Sequence, residues 1–216
     1  ARDSKGQVTM DKTTALETYF GLDAFRPGQG ALIVALLAGR DALGVMPTGA
    51  GKSICYQLPA VLLEGVTVVI SPLISLMKDQ VAALGQAGIP AAFINSSLTA
   101  GQLRTVLARA GQGQYKLLFV APERLTSADF LSLCRAVHIP LVAVDEAHCV
   151  SQWGQDFRPS YLAIADFIMN LNPRPAVGAF TATATEHVRA DIARLLGLEQ
   201  PLYMTTGFDR PNLYFE

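Results

Sequence analysis

The chain has 216 residues, 50% of them hydrophobic and 16% charged, and 17 Lys and Arg against 18 Asp and Glu leave a formal net charge of -1. That balance fits one soluble globular domain with a short extension, excludes disorder as a description of the whole, and provides no global positive field to attract nucleic acid. No apolar run reaches the about 18 residues of a membrane span, and none follows the polar start Ala1-Arg2-Asp3-Ser4-Lys5-Gly6 as a signal peptide requires, so a reducing cytoplasmic setting is the default.

In chain order, residues 1–10 are polar and aperiodic and read as a flexible leader or a remnant of expression. Short runs rich in Val, Ile and Leu then predict strands near 41–46, 66–70, 91–94, 116–120, 141–145, 176–180 and 202–205. Helical spacing lies between them, for instance at Leu73, Leu76, Met77, Val81 and Leu84, and again at Val188, Ile192, Leu195 and Leu196. Strand alternating with helix predicts an α/β fold over 11–207, a mostly parallel sheet with helices on both faces and ligands beyond the carboxyl ends of the strands. Three widely spaced cysteines, Cys55, Cys134 and Cys149, read as small buried side chains, with neither the pattern of a disulfide framework nor that of a CxxC zinc site. The chain stops inside a fresh strand, Asn212 to Glu216, after the turn Gly207 to Pro211, so 208–216 are expected to begin a linker to a second domain.

The predicted strand Ala42 to Val45 runs into Met46-Pro47-Thr48-Gly49-Ala50-Gly51-Lys52-Ser53 and then into a helical run from Ile54 to Leu63. This is P-loop context: the glycines let the backbone N–H groups of Thr48, Gly49, Ala50 and Gly51 turn inward on phosphates at a helix N-terminus. Lys52 would reach the β- and γ-phosphates of ATP and Ser53 would ligate Mg²⁺. Met46 stands where the strict pattern has Gly, and a dinucleotide reading fails because Ile54 occupies the third glycine position. The competing reading is a glycine-rich turn that happens to precede Lys-Ser. The second half of such a site is Leu141-Val142-Ala143-Val144-Asp145-Glu146-Ala147-His148, where Asp145 would hold Mg²⁺ through its water shell and Glu146 would orient or deprotonate the attacking water. Two carboxylates ending an apolar strand are costly unless a cation meets them. A metal enzyme using Asp145, Glu146 and His148 as direct ligands lacks the second histidine and the fixed spacing of a zinc site.

Asp145-Glu146-Ala147-His148 with Thr181-Ala182-Thr183 downstream resembles a superfamily 2 helicase, and further blocks resemble the RecQ family of DNA helicases. Phe20-Gly21 and Phe25-Arg26-Pro27-Gly28-Gln29 are similar to that family's motif 0, Ser71-Pro72-Leu73 through Asp79-Gln80 to its motif Ia, and Ala121-Pro122-Glu123-Arg124-Leu125 to its motif Ib. Most specific is Ser151-Gln152-Trp153-Gly154-Gln155-Asp156-Phe157-Arg158-Pro159 with Tyr161, which resembles the aromatic-rich loop after the acidic box. The resemblance implies the first of two RecA-like lobes, the second following in cis. It implies an ATP-dependent helicase that moves 3' to 5' on single-stranded and partially duplex DNA in repair and recombination. Carried over by position, Gln29 would read the adenine edge and Arg26 would flank the base. His148, Gln152, Thr181 and Thr183 would couple the sites, and Ser71, Lys78, Arg124, Trp153, Phe157 and Arg158 would contact DNA.

Each carried role has a plain alternative. Gln29 alone reads as a polar helix start, Lys78 as a solvated charge and Trp153 as a core tryptophan. Gln155 stands where the loop usually has His, and glutamine cannot carry a proton near neutral pH. Two further functions stay open: another superfamily 2 motor such as an RNA helicase, against which the aromatic loop argues, and a nucleotide- or DNA-binding module without turnover.

Overall fold

The computed structural model describes residues 10–207; the expected leader up to residue 9 and the expected linker from 208 lie outside the described residues. Among the described residues, seven strands form one sheet: β1 (Ala42–Val45), β2 (Thr67–Ile70), β3 (Ala91–Ile94), β4 (Leu117–Val120), β5 (Leu141–Val144), β6 (Ala176–Thr181) and β7 (Leu202–Thr205). Their order is β3-β4-β2-β5-β6-β1-β7 and every pairing is parallel. All lie where the apolar runs predict them, with β6 running one residue further, to Thr181. Along β5, Val142 and Val144 enter one apolar cluster and Leu141 and Ala143 the other, the period-2 signature of a strand buried on both faces.

Helices cover both faces. α2 (Gln29–Leu37), α3 (Ile54–Leu62) and α4 (Ile74–Gln86) pack on the side of Leu141 and Ala143. α5 (Ala100–Gly111), α6 (Ala128–Ala136), α7 (Ala163–Met169) and α8 (Glu186–Leu195) pack on the other. α1 (Lys12–Phe20) forms an outer layer, seating Ala15 and Leu16 against Ile33 of α2 and Leu58 of α3. The helix after β2 departs from its expected stripe at one end: Met77 and Leu84 are buried, but Leu73 is exposed because α4 starts only at Ile74 and Leu73 is extended. α8 begins on the Thr185 hydroxyl, which accepts the Val188 N–H.

An all-parallel sheet sorts the connections onto two rims. Every loop leaving a strand's carboxyl end, including 46–53, 71–73, 121–127 and 145–158, lies on one rim. The opposite rim carries a buried anchor: Asp41 accepts from the Arg174 guanidinium at 2.7 Å and from the N–H groups of Val177 at 2.8 Å and Glu199 at 2.7 Å. That rim also holds a cavity of about 490 Å³ bordered by Tyr115, Lys116 and His138.

Candidate active site

The loop between β1 and α3 turns on Gly49 and Gly51, at φ 82° and 81°. Gly51 is required twice over, since a Cβ there would lie 2.5 Å from the Gln29 amide nitrogen and its φ disfavours any other residue. Thr48, Gly49, Gly51, Lys52 and Ser53 line a cleft of about 410 Å³ whose far wall is Asp145 and Glu146. Arg26 and Gln29 close one end, and Tyr56, Leu76 and Gln80 complete the wall, a contribution of α3 and α4 that the sequence reading missed. Gln80 lies inside the motif Ia block and accepts from Gln57 at 2.6 Å, so its position in that block was the available signal.

Gln29 is only 1% exposed, and both ends of its amide are engaged. Its oxygen accepts the Arg26 N–H at 2.8 Å, and its nitrogen donates to the carbonyls of Ala50 at 3.2 Å and Gly51 at 3.0 Å. The Arg26 guanidinium donates to the carbonyl of Gly49. In this arrangement the residues expected to meet the base hold the loop instead, so any contact of Gln29 with adenine requires that latch to open.

Asp145 and Glu146 follow β5 directly. The Asp145 carboxylate accepts the Glu146 N–H at 3.0 Å, and burial followed by the Glu146 charge pushes its pKa from 3.8 up to about 6 while Lys52 pulls it down. Glu146 is held at φ 47°, an uncommon left-handed conformation for a non-glycine residue. Ser53 and Asp145 offer hard oxygen donors to one cleft, a set that fits Mg²⁺ shared with phosphates and water. Among the described residues, no cluster of three or more His, Cys, Asp and Glu side chains forms a metal cage.

His148 opens the one-turn helix Ala147–Val150 toward β6: its Nδ1 lies 2.8 Å from the Thr181 hydroxyl, which donates to the Thr183 carbonyl at 3.1 Å. A hydroxyl whose proton is spent in that way accepts the next one, so Nδ1 carries hydrogen. The Glu146 carboxylate lies 3.4 Å from the same nitrogen. The expected coupling residues His148, Thr181 and Thr183 therefore form one polar chain beside Glu146, while Gln152 is exposed and outside it.

The aromatic loop folds back onto this turn. The Arg158 N–H donates to the Cys149 carbonyl at 2.9 Å, Gly154 N–H to Ser151 carbonyl at 3.0 Å, and the Tyr161 hydroxyl to the Asp145 carbonyl at 2.9 Å. Trp153 is 72% exposed, which removes the core-tryptophan reading, and Phe157 is half-buried. The Arg158 guanidinium pairs with Asp156 at 2.7 Å and reaches the Pro72 carbonyl at 3.5 Å. Lys78 is exposed on α4, and Arg124 is half-buried with its guanidinium on the Asn95 carbonyl at 3.3 Å. Ser71, expected to contact DNA, is 2% exposed, and its hydroxyl is buried without a protein partner. The three cysteines are free and buried as expected.

A glycine-rich loop facing paired carboxylates at the carboxyl rim of an all-parallel sheet is the arrangement of a RecA-like domain. Solved structures share that fold: a DUF1998 helicase MrfA bound to DNA has a TM-score of 0.70 at 17% identity, over 93% of this chain and 30% of that one. A hypothetical ATP-dependent RNA helicase from Sulfolobus tokodaii has a TM-score of 0.68 at 18% identity, over 90% of this chain and 56% of that one. The DEAD/DEAH box helicase family model matches residues 26–191, and the chain belongs to that family. It is 50% identical to the ATP-dependent DNA helicase RecQ of Bacillus subtilis over 93% of this chain and 34% of that protein. It is 44% identical to RecQ of Pasteurella multocida over 100% of this chain and 35% of that protein. The chain thus spans about a third of the length of these relatives, and the resemblance to RecQ extends well beyond the motifs that first carried it.

Proposed function

We propose that the chain is the ATP-binding first lobe of a 3' to 5' DNA helicase of RecQ type, acting with a second lobe in cis on single-stranded and partially duplex DNA. Repair and recombination in a cytoplasmic setting fit that reading. The observation that carries it is the continuity of the site: the wall of the nucleotide cleft, Asp145 and Glu146, is bonded through Tyr161 and the 147–150 turn to a loop that exposes Trp153.

In this reading Lys52 holds the β- and γ-phosphates, Ser53 and Asp145 hold Mg²⁺, and Glu146 orients the attacking water. Mg²⁺, when bound, neutralises charge developing on the phosphate oxygens. Thr48, Gly49, Ala50 and Gly51 cradle the phosphates, and Gln29 and Arg26 select adenine once released from the loop carbonyls. Trp153 and Phe157 stack on bases, while Lys78, Arg124 and Arg158 approach the phosphate backbone. His148, Thr181 and Thr183 carry the state of that surface to Glu146.

The test is steady-state ATP hydrolysis by a chain extended through the second lobe. Glu146→Gln is expected to keep nucleotide binding and lose hydrolysis, and Lys52→Ala to lose both. Normal turnover by the Glu146→Gln protein overturns the assignment. Comparing stimulation by DNA and by RNA decides between a DNA and an RNA motor. By themselves, the 216 residues are expected to bind Mg-nucleotide weakly and to turn it over slowly, because the arginines that meet transition-state charge in two-lobed motors come from the facing lobe.

A further inference from the structure

Helix α8 has no role in the site described above, yet its exposed face meets the aromatic loop at two points. His187 and Asp191 are four residues apart and share one face of the helix. The His187 ring packs against Trp153 at 5.8 Å between centroids and 71° between planes. The Asp191 carboxylate is held below the usual carboxylate range by the Ser151 hydroxyl and by Arg194. Ser151 is fully buried, and its oxygen accepts the Trp153 N–H at 3.2 Å. Two loop residues, 151 and 153, are thereby matched to two helix residues, 187 and 191.

The same helix is tied to the catalytic turn. α8 packs against the turn 147–150 and is capped by Thr185, two residues after the carbonyl that receives the Thr181 hydroxyl beside His148. Trp153 and the turn that carries His148 therefore meet the same helix.

We propose that α8 is the seat of the aromatic loop, with His187 and Asp191 as positioning residues that hold Trp153, so that a base stacking on Trp153 has to work against that seat. The second half of this statement rests on the nucleic-acid reading above; the first does not.

Trp153 is the sole tryptophan of the chain, so its emission tests the seat directly. His187→Ala and Asp191→Ala are each expected to shift that emission to the red and to raise its quenching by acrylamide. His187→Phe keeps a ring against the indole and Asp191→Asn keeps a polar side chain beside Ser151, so both are expected to stay near the parent chain. Arg194→Ala removes only the outer ion pair of Asp191 and is expected to change nothing. Parent-like emission in both alanine variants, or a red shift in Arg194→Ala equal to theirs, overturns the seat. Melting curves recorded alongside separate release of the loop from loss of the fold: a shift that appears only with a lowered melting temperature also overturns it. Titration with oligothymidine reads the second half. The parent chain is expected to lose emission on binding, and the two alanine variants to bind with a severalfold lower Kd because the seat no longer competes. An unresponsive parent chain overturns the nucleic-acid reading while the seat, judged on emission alone, stands.

Discussion

Asp145 sits where its charge is costly: burial and the neighbouring Glu146 lift its pKa from 3.8 to about 6. A carboxyl raised in the folded state favours the folded state when protonated, so the penalty is fully present above about pH 6 and is relieved as pH falls toward the unfolded value. Asp145→Asn removes the charge and is expected to stabilise the metal-free protein at about pH 7 by ~3 kcal/mol, at about 1.4 kcal/mol per pK unit, with little gain near pH 4. Thermal melts at the two pH values check this, and the same variant is expected to lose Mg-dependent nucleotide binding. Gln29 carries a different conflict, since its amide is already spent on the carbonyls of Ala50 and Gly51. Gln29→Ala is expected to weaken ATP binding and narrow the preference for ATP over GTP by about fivefold, the worth of roughly one hydrogen bond. Titration with both nucleotides reads the gap; an unchanged preference moves the adenine reader to another residue.

The aromatic loop depends on one glycine. A Cβ at Gly154 would lie 2.3 Å from the His148 carbonyl oxygen and 3.1 Å from that of Ser151, backbone atoms that cannot rotate away. Gly154→Ala is expected to spring the loop, with a change in Trp153 emission and a loss of about 1–3 kcal/mol in a denaturant titration. This closeness was not legible in the sequence, where Gly154 is only one residue of the aromatic-rich block. The five inner strands were legible because strands buried on both faces are continuous apolar runs, and the glycine-rich loop was legible because its pattern is local: strand, glycines, Lys52-Ser53 and helix follow one another directly. The burial of Ser71 was not legible because a serine just after a strand has no pattern to say whether the strand end is covered. His187 and Asp191 were silent for another reason: on an amphipathic helix they look like solvated polar residues, and their partners Trp153 and Ser151 are distant in sequence.

At the scale of the whole molecule, the parallel sheet keeps stability and chemistry on opposite rims. Asp41 joins the starts of β1 and β6 to the segment entering β7 through Arg174, Val177 and Glu199. Removing one partner of a buried ion pair strands the other, so Asp41→Ala is expected to cost about 3–5 kcal/mol while leaving nucleotide affinity at the far rim unchanged. Melting curves with and without nucleotide separate the two quantities. The same division bears on how the protein can be labelled. Cys55, Cys134 and Cys149 are buried, and burial pushes each thiol up to about 12, so alkylating reagents find little thiolate on the folded chain. Gln112, by contrast, is exposed in the turn after α5, on the rim away from the cleft. A Gln112→Cys chain therefore offers one reactive thiol, and a dye or surface tether attached there leaves the cleft beside Lys52 and the aromatic loop facing outward.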